Sequence, residues 1–106
     1  MLWVPDGLFD VEVQAALRRW DLNGVLSHED VVAARLRLSE LRLRRARVAR
    51  FVERSWSLRS NITFPDACYV ALTERLQCSL ITSDWRLIDV PDLPVPTSHP
   101  KHRPGK

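Results

Sequence analysis

Residues 61–84 read NITFPDACYVALTERLQCSLITSD, and this stretch decides the fold. Thr63 supplies a hydroxyl for a helix N-cap, Pro65 sits in the first turn where its missing N–H costs nothing, and Asp66 follows three residues after the cap. The predicted helix runs to about Leu76. Ser79-Leu-Ile-Thr82 then reads as a short buried strand ending at Asp84, and residues 85–90 as one further turn of helix. Alternating helix and strand of this kind is the pattern of an α/β layer on a parallel sheet.

Upstream, residues 8–20 predict a helix with Phe9, Val13, Ala16, Leu17 and Trp20 at helical spacing, closed by Asn23-Gly24. Ser27 caps a second helix that runs to about Glu40, with Glu29 and Asp30 in its first turn. Leu41–Arg44 alternates with period two and predicts a short strand. A third helix is expected from about 47 to 59, with Val48, Phe51, Val52, Ser55 and Trp56 as its buried stripe. Trp20 and Trp56 read as core. Downstream, Leu93-Pro94-Val95 predicts an edge strand, because the prolines forbid a central one. Residues 1–97 are expected to form one domain, and the basic, proline-containing tail 98–106 to be disordered.

At 106 residues there is room for one modest core, and 45% apolar with 27% charged residues is an ordinary soluble composition. No apolar run approaches the roughly 20 residues of a membrane span, and the N-terminus has no secretory pattern. Cys68 and Cys78 form no CxxC, so both read as reduced core residues in a cytoplasmic protein. Nine arginines between Arg35 and Arg59 face only Glu40 and Glu53. Such a stretch suits phosphate contact, and Arg42, Arg44, Arg45 and Arg47 are its candidates for meeting a nucleic-acid backbone. A solvated surface or an acidic partner protein accounts for the same pattern.

Three carboxylates stand out as candidate ligands of a hard divalent cation: Glu12, Asp66 and Asp84. Each also has a structural reading. Glu12 can pair with Arg19, Asp66 can simply answer the helix dipole, and Asp84 can cap the turn that follows it. Trp85 suits either stacking on a base or packing. Asp89 and Asp92 read as loop residues. His28, His99 and His102 form no metal set, which leaves histidine-based acid–base chemistry without support.

Three segments carry a resemblance: FDVEVQAALRRWDLNGVLS at 9–27, NITFPDACYVALTERLQCSLITSDWRL at 61–87 and DLPVPTS at 92–98. In order and spacing they resemble PIN-domain ribonucleases, particularly the VapC-type toxins of bacterial toxin–antitoxin pairs. The resemblance implies a three-layer α/β/α fold and Mg²⁺- or Mn²⁺-dependent endonucleolytic cleavage of RNA. It also implies a homodimer silenced by a small antitoxin. Four acidic positions normally make such a site; Glu12 matches the second, Asp66 the third and Asp84 the fourth, and Thr82 and Ser83 match a supporting hydroxyl position. Such domains begin with a strand carrying the first acid, whereas this chain opens just before the helix of Glu12. The expectation is therefore a helix-rich PIN-like α/β domain lacking that strand. Asp6 and Asp10 do not read as substitutes, since neither follows an apolar strand in this reading. The competing expectation is an inactive PIN-like protein that binds an antitoxin or RNA without cutting.

Overall fold

Strands and helices alternate along residues 2–103, the part of the chain that the computed structural model describes. The backbone divides into two units, with the boundary between Ala46 and Arg47.

The first unit contains β1 (Leu2–Pro5), α1 (Leu8–Leu22), α2 (His28–Glu40) and β2 (Leu43–Ala46). β1 and β2 are parallel, with Leu2 opposite Leu43 and Pro5 opposite Ala46. Parallel neighbours cannot be joined by a tight hairpin, so the chain leaves the sheet and returns through the α1–α2 pair. The Asp6 N–H continues the ladder by donating to the Ala46 carbonyl at 2.8 Å. Gly7 then turns the chain into α1 with φ of 81°, a value that L side chains rarely adopt. Ser27 caps α2 as its sequence predicts, its hydroxyl accepting from the Asp30 N–H at 3.1 Å. Val4, Leu17 and Val31 are buried, one from each of β1, α1 and α2.

Three expectations change here. β1 was not anticipated, and because of it Asp6 does follow an apolar strand. The strand expected at Leu41–Arg44 begins at Leu43, since Leu41 serves as the extended C-cap of α2 and its N–H is held by the Leu38 carbonyl. Trp20 is 40% exposed rather than core, because the buried side of α1 is carried by Leu17.

The second unit contains a 3-10 turn (Val48–Arg50), α3 (Val52–Ser57), α4 (Phe64–Leu76), β3 (Leu80–Ile81), α5 (Trp85–Ile88) and β4 (Thr97–Ser98). α4 is its centre. Thr63 caps it and accepts from the Asp66 N–H at 3.3 Å, and Gln77 ends it in the left-handed conformation at φ 53°. Ala67, Cys68, Val70, Ala71, Leu72 and Thr73 are all buried, so the helix is enclosed around most of its girth.

The single helix expected from about 47 to 59 is split. Phe51 leaves the helical range at φ −134°, which lets its ring enter the core, and the chain restarts as α3. The fully buried Ser55 donates its hydroxyl back to the Phe51 carbonyl at 2.9 Å. Val52 and Trp56, expected in the buried stripe, are 36% and 56% exposed.

β3 and β4 are parallel, with Leu80 opposite Thr97 and Ile81 opposite Ser98. The edge strand expected at Leu93–Val95 is absent, and pairing begins two residues later. Pro94 and Pro96 have no N–H to give, but the Pro96 carbonyl accepts from the Leu80 N–H at 2.9 Å. Val95 is still used, as core. It joins Val70, Leu80 and Leu87 in a cluster against which Leu58, Ile62, Tyr69, Val90 and Leu93 pack. Burying each such aliphatic side chain stabilises the unit by roughly 1.5–3 kcal/mol.

Candidate functional site

The aliphatic cluster of the second unit fixes two acidic residues. α4 is locked by Val70 and its buried neighbours, so its N-terminal turn, with Asp66, has a set position. Leu80 on β3 and Leu87 on α5 are both buried, and Asp84 lies in the short link between them. Asp66 and Asp84 consequently line one surface depression of about 250 Å³, together with Asn61, Ile62, Thr63, Arg86, Leu87 and Val90.

The two carboxylates differ in their hydrogen bonding. Asp84 caps α5: its Oδ1 accepts from the Arg86 backbone N–H at 2.9 Å and from Arg86 Nε at 3.4 Å. Its own N–H donates to Thr82 Oγ1 at 3.1 Å. Thr82 thus positions Asp84 through the backbone, and Ser83 offers its carbonyl to His99 Nε2 at 3.1 Å. Asp66 has no hydrogen-bond donor to its carboxylate among the described residues, and its N–H donates to the Thr63 cap. The capping role that sequence allowed for Asp84 is therefore real. It leaves Oδ2 of the same carboxylate uncommitted.

Glu12 belongs to the first unit and stands exposed on α1. Its neighbours Phe9 and Val13 turn instead into a separate depression of about 230 Å³ that Gln14, Arg35, Leu38 and Arg45 help to line. Among the described residues, no group of three or more His, Cys, Asp or Glu side chains converges to hold a metal. Mg²⁺ keeps much of its water shell and commonly takes only one or two carboxylates. By the chemistry of the donor set, the Asp66–Asp84 pair fits such a hydrated oxygen-seeking ion.

The arginine candidates divide. Arg45 forms a two-point ion pair with Asp10 at 2.6 and 3.0 Å and also reaches Asp6 at 3.3 Å. The Arg45 hydrogen bond holds the Asp10 carboxyl below its usual range, and Asp10 in turn raises the guanidinium. Arg44 lies 5.7 Å from the Trp3 ring. Arg42 and Arg47 are exposed. Farther along, Arg54 grips Glu74 at 2.7 and 2.9 Å, tying α3 to α4 and lowering the Glu74 pKa chiefly through that hydrogen bond. Arg59 lies over the Trp56 ring at 4.6 Å. Much of the arginine run is thus engaged within its own unit. Sequence reasoning missed these pairings, since Asp10 and Glu74 lie far from their arginines along the chain.

The segment after β4, expected as a loose tail, makes contacts as far as Arg103. His99 stacks on Trp85, with ring centroids 3.8 Å apart and planes within 1°. Arg103 lies 4.4 Å from the Trp85 ring and pairs with Asp89. The rest of the tail, residues 104–106, lies outside the described residues.

Parallel strand pairs joined by helical crossovers, with acidic residues following a strand and opening a helix, make an α/β arrangement compatible with a small PIN-like domain. Comparison with known proteins places it further. The chain is 44% identical to Ribonuclease VapC1 of Mycobacterium tuberculosis over 88 residues, which span 82% of this chain and 66% of that protein. It is 40% identical to VapC ribonuclease Mb0985 of Mycobacterium bovis, over 83% of this chain and 68% of that protein. Ribonuclease VapC12 of M. tuberculosis matches at 38% over 79 residues. The chain therefore belongs to the VapC ribonuclease family, and it spans about two thirds of the length of these relatives. No family model and no solved structure matches it. No helix among the described residues is long and apolar enough to cross a membrane.

Proposed function

We propose that this chain acts as the toxin ribonuclease of a toxin–antitoxin pair, hydrolysing RNA phosphodiesters at a divalent-metal site that includes Asp66 and Asp84. The observation that carries the reading is that these two carboxylates line one depression. Family membership supports the substrate class, and the family resemblance alone supports Glu12 as a third carboxylate, a small antitoxin as partner, a homodimer and a cytoplasmic setting.

In this reading Asp66 and Asp84 would hold Mg²⁺ or Mn²⁺, which supplies an activated water and neutralises charge on the phosphate. The residues do the rest. The Arg86 backbone N–H and Thr82 hold the Asp84 link in one conformation. Thr63 holds the first turn of α4 so that Asp66 faces the same space. Arg86, whose side chain is 93% exposed, stands at the rim where a phosphate would approach.

The test is RNA cleavage by the full chain in Mn²⁺, beside an Asp66→Asn, Asp84→Asn double variant. Cleavage by the parent and none by the variant is the expected result. A fully active double variant would end the assignment of these carboxylates. RNA binding without cleavage by the parent would favour a non-cleaving member of the family. A thermal melt gives an independent reading: an ion that binds only the folded chain raises its stability, by about 2.7 kcal/mol at a hundredfold excess over Kd.

A further inference from the structure

We propose that the indole face of Trp85 is a stacking platform for one base of single-stranded RNA beside Asp84, and that His99 occupies it in the free chain as an internal stand-in. The proposal rests on the ribonuclease reading and adds to it a means of gating the site.

The stack is the first observation. A planar nitrogen heterocycle lies 3.8 Å from the indole with planes within 1° of parallel, which is the way a nucleobase meets a tryptophan. The second is how the imidazole is held. The Lys101 N–H can only donate, so His99 Nδ1 accepts from it at 2.9 Å, and Nε2 then carries the proton given to the Ser83 carbonyl at 3.1 Å. Ser83 immediately precedes Asp84. The tail therefore closes back onto the link that carries a candidate ligand.

The third observation is that the strap is fastened lightly. β4 contributes two residues of pairing, and the Arg103–Asp89 ion pair, at 3.2 and 2.5 Å, lies at the surface where such pairs hold weakly. Two fastenings near Trp85, the ring stack and the Arg103 ion pair, have a counterpart in RNA. A purine offers a larger π face than imidazole, and phosphates can take the guanidinium groups of Arg86 and Arg103. Stacking tolerates any base, so the platform would favour purines by stacking strength without reading sequence.

The experiment is a binding titration of the full chain with a short fluorescent oligoadenylate, in EDTA so that no cleavage intervenes. His99→Ala is expected to bind several-fold more tightly than the parent, because the platform is vacated. Trp85→Ala, placed in that background, is expected to lose about 5- to 150-fold, the range for one stacked base, and Trp85→Phe to keep part of it. His99→Ala should bring no gain once Trp85 is alanine. Unchanged affinity in His99→Ala would overturn the proposal, as would a gain that persists without Trp85 or an absence of binding in every variant. Cleavage of the same RNA by the parent in Mn²⁺ is scored separately. If cleavage occurs while His99→Ala binds like the parent, the strap fails and the ribonuclease reading stands; tighter binding without cleavage is the converse.

Discussion

Truncating Leu87 to alanine tests the packing that holds Asp84 in place. Leu87 is 5% exposed, packs in the cluster with Val70, Leu80 and Val95, and lies three residues after Asp84 on α5. Removing three carbons forfeits about 2.4 kcal/mol at roughly 0.8 kcal/mol per buried carbon. A residual cavity adds to that, and leucine-to-alanine changes in cores span about 2.7–5 kcal/mol. Leu87 also borders the open depression of the site, so its neighbours can partly close the gap. The expected loss is therefore near the lower end, about 3 kcal/mol. Trp56→Ala is the control. A tryptophan in the core would cost about 3–5 kcal/mol, but one that is 56% exposed should cost about 1–2 kcal/mol. Urea unfolding followed by circular dichroism reads both as changes in midpoint at constant slope. Should Leu87→Ala lose no more than Trp56→Ala, the cluster described here is not what stabilises the second unit.

Three further outcomes follow from other parts of the structure. Thr63→Ala should cost about 1 kcal/mol by releasing the Asp66 N–H, while Thr63→Ser should restore it, both read by thermal melt. Glu74 has its pKa lowered from 4.5 by Arg54, so its stabilising contribution is present above pH 4.5 and is lost as pH falls through the depressed folded value. Glu74→Gln should accordingly melt lower than the parent at pH 7, by no more than about 1 kcal/mol because the pair is partly exposed, and the difference should vanish in acid. Gly7→Ala meets no atom within 4 Å, so any loss is backbone strain at φ 81° and ψ −48°, about 1–3 kcal/mol in a melt; no loss would mean that the β1–α1 turn relaxes.

How much of this was legible in the sequence varied with the kind of signal. α2 and α4 were read closely because their caps are local: a hydroxyl, and a backbone N–H three residues on, are enough. The strands were harder. β3, at Leu80–Ile81, was read within the expected 79–82 from its apolar run, but β4 has two residues, too few for a period to register, and β1 is four residues ending in a proline. The α3 region failed for a different reason. Phe51, Val52, Ser55 and Trp56 do recur at helical spacing, but only Phe51 and Ser55 are buried, and burying the Phe51 ring breaks the helix that the spacing implies. For the candidate site, Asp66 and Asp84 were singled out by the family resemblance, since a place in a helix's first turn or after a strand is equally explained by the dipole or by capping. Their common depression could not be read, because it depends on how α4, β3 and α5 share one core. The ion pairs of Arg45 and Arg54 were equally hidden, since composition shows arginines without their partners. The tail was judged on composition alone, and composition does not reveal that Trp85 has a ring-sized face within its reach.

Both sheets have only two strands, so among the described residues every strand is an edge. Each carries one side of backbone N–H and C=O groups open to another extended segment, and Leu2, Trp3 and Ile81 place exposed apolar side chains along them. Two features restrain indiscriminate association: β2 displays Arg44, whose charge has no carboxylate partner among the described residues, and β3 and β4 are too short to template a long ladder. A protein built this way should be sensitive to concentration and salt during handling. As ionic strength rises and the Arg44 charge on β2 is screened, self-association through β1 and β2 should be the first route to precipitation.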